Sequence, residues 1–117
     1  MTTSQPNPYE HLAIRWDPNL PEQFKTVACG PGWAALIADL VESTGDDFLV
    51  SQIKEKFGGL RYYVRPADGL DEHAEARGRQ MIDDAERASC KTCETCGAPG
   101  EKTQKGHIHK TVCEECR

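Results

Sequence analysis

The clearest periodicity lies in "CGPGWAALIADLVESTGDD", where Trp33, Leu36, Ile37, Leu40 and Val41 recur at intervals of three and four residues. That spacing gathers all five on one stripe of a helix and turns the polar positions between them to water. Pro31 suits a first helical turn, whose N–H groups have no intrahelical partner, and Gly45 suits a left-handed C-terminal cap. The pattern predicts a helix from about Pro31 to Thr44, with Trp33 in the core.

The period then changes. Phe48 to Arg65 predicts a hairpin with Gly58 and Gly59 at the centre of a type I′ turn, where both residues take positive φ. Such a turn pairs Phe57 with Leu60, Lys56 with Arg61, Glu55 with Tyr62, Lys54 with Tyr63 and Ile53 with Val64. Alternation sends Leu49, Ile53, Phe57, Leu60, Tyr62 and Val64 to the core, with Ser51 and Glu55 breaking the pattern. The opposite surface carries Lys54, Lys56, Arg61, Tyr63 and Arg65.

A second helical pattern runs from about Asp71 to Ser89, with Ala74, Gly78, Met81, Ile82, Ala85 and Ala88 as a narrow stripe of mostly small residues. Gly78 lowers helix propensity there, which fits a close approach to the sheet. At the start of the chain, residues 1–8 read as a flexible tail, with Pro6 and Pro8 among polar neighbours. Tyr9 to Trp16 fits either a strand or a helical turn, and Asp17, Pro18, Asn19 and Pro21 fit a turn. The fold class expected is α+β: a small helix-hairpin-helix domain over residues 9–89, joined to a C-terminal module over residues 90–117 that can pack back onto it.

That module is defined by cysteine. Five of the six cysteines fall between Cys90 and Cys116, and Cys93-x2-Cys96 is followed after sixteen residues by Cys113-x2-Cys116. Two short pairs can each wrap one side of a tetrahedral ion, so the spacing predicts structural zinc on Cys93, Cys96, Cys113 and Cys116 in a zinc-ribbon-like unit. Cys90 with Cys93 is a rival first pair, and His107 and His109 are rival ligands; using either histidine would leave one member of a complete four-cysteine set idle. Four protein ligands leave no open position for substrate, and few apolar side chains besides Ile108 and Val112 support this segment without a metal.

Composition narrows the reading further. A chain of 117 residues with 38% apolar content supports a modest core and no large enzyme. No apolar run is long enough to span a membrane and no secretory signal is visible, so the expected location is cytoplasmic, or the host cytoplasm for a phage-encoded chain. Charge is uneven about a formal net of −5: residues 1–47 are net −5, residues 48–65 net +3, residues 66–89 net −4 and residues 90–117 net +1. The basic island coincides with the polar face of the hairpin, which makes Lys54, Lys56, Arg61, Tyr63 and Arg65 the candidate macromolecule-binding set.

An enzyme would have to start from Cys29, at the entry to the first helix, where the helix field favours a thiolate. No base or orienting group can be placed beside it by spacing, and "FGGLR" lacks the strand-to-helix context of a phosphate loop. The expectation is therefore a non-enzymatic protein-interaction or regulatory protein, with a nucleic-acid-binding zinc ribbon as the alternative.

Taken together, "CGPGWAALIADL", "VSQIKEKFGGLRYYV", the helix ending near Ser89, and "TCETCGAPG" followed by "TVCEEC" resemble a family of small uncharacterised bacterial and phage proteins. The resemblance spans most of residues 29–116. It implies a short α+β domain with a C-terminal zinc knuckle and no established reaction. It also makes a phage accessory protein plausible, with a host or phage protein as the expected partner and nucleic acid as the second.

Overall fold

The computed structural model of the chain describes residues 7–117. It is a mixed α+β structure of two α-helices and two small sheets. Strands β1 (Val27–Ala28), β2 (Phe48–Lys56) and β3 (Gly59–Pro66) form the first sheet in that order, β1 parallel to β2 and β2 antiparallel to β3. Helices α1 (Ala34–Thr44) and α2 (Glu72–Ser89) flank the β2–β3 hairpin in sequence, and β4 (Glu101–Lys105) pairs with β5 (Ile108–Val112) in the second sheet.

The first helix forms much as its stripe predicts. Pro31–Trp33 makes a 3-10 turn that leads into α1, and Gly45 closes the helix at φ +51°, its N–H donating to the Val41 carbonyl at 3.1 Å. Trp33, Ile37 and Leu40 are buried against Val50, Ile53, Leu60, Tyr62 and Ile82, so both helices cover the same face of the three-stranded sheet. Asp71 caps α2 by accepting the His73 N–H at 2.7 Å. Gly78 lets α2 settle on Phe48, whose ring occupies the space a Cβ would need.

The hairpin departs from the expected register. Its central turn residues are Phe57 and Gly58, at φ +54° and +82°, and Lys56 pairs with Gly59. The true partners are therefore Glu55 with Leu60, Lys54 with Arg61 and Ile53 with Tyr62. Phe57, expected in the core, stands 58% exposed at the turn. A bulge at Ser51 corrects the other end: the register shifts between Val50 and Gln52, so Phe48 and Val50 point inward along with Ile53. Leu49, assigned to the core by strict alternation, pairs instead with Arg65 and is only partly buried.

The segment before β1 is irregular chain apart from a 3-10 turn at Glu22–Phe24, and part of it lies along the sheet. Val50 donates its N–H to the Arg15 carbonyl at 2.8 Å and accepts from the Asp17 N–H at 2.9 Å, which ties Trp16 beside β2. Of the tail expected over residues 1–8, residues 1–6 lie outside the described residues; Asn7 begins a turn by accepting the Tyr9 N–H on its side chain at 2.9 Å. No helix among the described residues is long and apolar enough to cross a membrane.

Candidate metal centre and open sheet face

Cys93 and Cys96 lie on a tight knuckle whose backbone closes on itself. The Cys93 N–H donates to the Ala98 carbonyl at 2.7 Å and the Gly97 N–H to the Cys93 carbonyl at 2.9 Å, with Gly97 at φ +85°. Cys113 and Cys116 bracket the 3-10 turn Glu114–Cys116 that follows β5. The β4–β5 hairpin thereby returns the second pair to the first, and the four sulfurs all lie within 4.8 Å of one another.

A tetrahedral thiolate site with bonds of about 2.3 Å has sulfur–sulfur edges of about 3.8 Å. Cys96 and Cys113 sulfurs are 3.7 Å apart, already at that edge length. The donor set fits a single metal ion, and all six cysteines are free of disulfides. Burial disfavours the Cys93 thiolate, yet N–H groups of Cys113, Cys96 and Thr95 outweigh it and bring the thiol down to about 6. Cys116 is held up to about 12, first by Cys113 and then by the other two sulfurs. Cys93 ionises readily while Cys96 and Cys116 resist, as expected of a cluster that needs a cation to carry several thiolates.

Neither rival ligand set forms. Cys90 closes α2 with its sulfur 3.7 Å from the Glu86 carbonyl, and His109 meets the Phe57 ring edge-on at 5.5 Å between centroids; neither belongs to the cluster.

The cysteine module is joined to the body through backbone contacts that the motif glycines permit. Gly32 donates its N–H to the Glu94 carbonyl at 2.7 Å, and Gly30 donates to the Glu94 carboxylate at 2.8 Å. A Cβ at Gly32 would collide with the Cys93 and Glu94 backbone, and one at Gly30 would lie 2.5 Å from the Glu94 oxygen. Trp33 adds an indole N–H to the Thr92 carbonyl at 2.9 Å. On the other side, the buried Thr111 hydroxyl donates to the Gly58 carbonyl at 2.6 Å, while the Glu94 N–H donates to the Thr111 carbonyl. "CGPGW" and "FGG" are thus two seats for one knuckle, a role that appears only when residues 93–111 come back against them.

Cys29 is a half-buried thiol in surroundings that disfavour its thiolate. Burial pushes it up to about 11; the Tyr9 hydroxyl, 3.4 Å away, opposes this, while the Glu94 and Glu55 carboxylates reinforce it. The same Tyr9 hydroxyl donates to the Gly30 carbonyl at 2.6 Å, which locks the N-terminal turn to the "CGPGW" loop.

The open face of the first sheet carries the basic set. Lys54 stands directly across from Arg61 and places its ammonium 5.8 Å from the centre of the Tyr63 ring. Lys56 sits over the Phe57 ring at 5.5 Å. Arg65 is engaged: its guanidinium grips Asp17 at 2.7 and 3.2 Å and holds the Asp17 carboxyl down to about 2. Lys54, Lys56 and Arg61 form no ion pair among the described residues.

Two side chains missed by sequence reasoning close the outer edge of β3. Ser89 accepts the Leu60 N–H at 2.8 Å and Glu86 accepts the Tyr62 N–H at 2.8 Å. Helix α2 thus caps part of an edge that would otherwise present bare donors to another strand. No signal in the sequence marks these residues, because their partners are backbone groups remote along the chain.

Comparison of the chain with models of known protein families, with curated proteins and with solved structures finds no match.

Proposed function

We propose that the chain is a zinc-stabilised, non-enzymatic interaction protein that offers the open face of its sheet to a protein partner. The observation that carries this reading is the one-sided cover of the sheet: α1 and α2 both pack on the inner face, and three unpaired cations with Tyr63 occupy the outer one. Directly opposed Lys54 and Arg61 cost stability through like-charge repulsion, which an anionic partner would relieve.

Zinc suits Cys93, Cys96, Cys113 and Cys116 because four soft thiolates in a tetrahedron select it over hard cations. Bound there, it would supply folding energy and leave no position for water or substrate. The resemblance to small bacterial and phage proteins points to a phage accessory role, with a host or phage protein as partner.

Affinity capture from lysate tests the reading, comparing the parent chain with Lys54→Glu/Arg61→Glu at equal metal content and fold. Loss of a specific protein in the variant supports it; identical recovery from both overturns the assignment of this face. Nucleic-acid binding is the second reading, favoured by Lys105, Lys110 and Arg117 around Ile108, which is 62% exposed, on the β4–β5 hairpin. It predicts nuclease-sensitive recovery that weakens steeply with salt, against the handicap of a net charge of −5.

A further inference from the structure

The open face is not uniform. A groove of about 710 Å³ lies there, with Leu20, Phe24 and Tyr63 among its lining residues. The lining also includes Thr26, Ala28, Ser51 and Gln52, side chains short or polar enough to leave the trough unfilled. Phe24 is 58% exposed and Tyr63 41%, so two aromatic rings bordering one groove are left to water. Exposed aromatic area of this kind is what an apolar anchor covers at an interface.

Charge selects the occupant. No acid lines the groove, and the two acids closest in sequence to Leu20 and Phe24 are engaged, Asp17 by Arg65 and Glu22 by Lys25 at 3.1 Å. Ala28, in the lining, pairs with Lys54, and Lys54 with Arg61, so these cations adjoin the groove, with Lys56 two residues further along β2. We propose that this groove binds a short acidic protein segment, seating one aromatic or aliphatic side chain between Phe24 and Tyr63 and its carboxylates on Lys54, Arg61 and Lys56. A nucleic acid fits less well: no cation is among the lining residues, where a phosphate backbone needs charge.

This inference rests on the open face being the interaction surface. Its test is fluorescence anisotropy on the full metal-loaded chain with three labelled probes: a short glutamate/serine peptide with one central tryptophan, the same peptide with serine at its centre, and an oligothymidylate of matched charge. The tryptophan peptide is expected to saturate and to bind at least about tenfold tighter than either other probe. Lys54→Glu/Arg61→Glu, Tyr63→Ala and Phe24→Ser should each weaken it about tenfold, and Arg77→Glu on α2, the helix that covers the opposite face of the sheet, should leave it unchanged. The proposal is overturned by absence of saturation below about 1 mM, by equal binding of the serine peptide, by tighter binding of the oligonucleotide, or by indifference to the groove variants. If the peptides fail while Lys54→Glu/Arg61→Glu still strips a captured protein, the face stands and the acidic occupant falls.

Discussion

At the scale of single residues, glycines and one thiol carry the sharpest expectations. Gly32→Ala should lower stability by more than about 3 kcal/mol and weaken metal retention together, because the added methyl pushes into the Cys93–Glu94 backbone. Denaturant unfolding and metal content after dialysis check both effects. Cys29 should be labelled by iodoacetamide at pH 8 about 100-fold more slowly than a free thiol, since a raised thiol populates its thiolate only as pH climbs towards about 11. Intact mass measured over time reads the rate, and fast labelling at that site would show an open or activated thiol. These environments were only half legible: the zinc-type spacing announces the four cysteines, whereas the space denied to Gly32 depends on chain more than sixty residues away in sequence.

At the scale of elements, both helices are written in their stripes, caps and breaker residues, and the hairpin is written in outline. What alternation cannot show is the extra residue at Ser51 or the choice between Phe57-Gly58 and Gly58-Gly59 as the turn. A Gly58-Gly59 turn would be the freer of the two sterically, whereas the observed turn puts Phe57 at positive φ, so tertiary contact decides. Gly58 sits against Lys110 and its carbonyl takes the Thr111 hydroxyl, which fixes the turn from outside the hairpin. The observed register makes a distinctive prediction. Phe57→Asn should be neutral or up to about 1 kcal/mol stabilising, since asparagine tolerates positive φ better than phenylalanine and little burial is lost. Leu60→Ala, on the fully buried position across from Glu55, should cost about 2–5 kcal/mol. Thermal or urea unfolding separates the two registers, because a core Phe57 would make the first substitution severe.

At the scale of the whole molecule, the cysteine module and the α+β body are one packed unit. The outer face owes its shape to this join: the knuckle holds "CGPGW" at the head of α1 and the turn between β2 and β3, and those elements set where Lys54, Arg61 and Tyr63 stand. A metal bound at the four cysteines would therefore also brace the open face of the sheet, although none of those cysteines lies on it. Such coupling is invisible in a linear reading, which separates residues 9–89 from residues 90–117 by composition alone.

The most direct measurement is amide hydrogen exchange at Gly30 and Gly32 in the metal-loaded chain and after chelation. Their N–H groups are held by the Glu94 carboxylate and carbonyl, so they report the join itself. Chelation is predicted to speed exchange at both amides at least about tenfold, together with those of the knuckle. Protection that stays unchanged at Gly30 and Gly32 while residues 93–116 lose theirs would contradict the account and leave the metal centre a separate appendage.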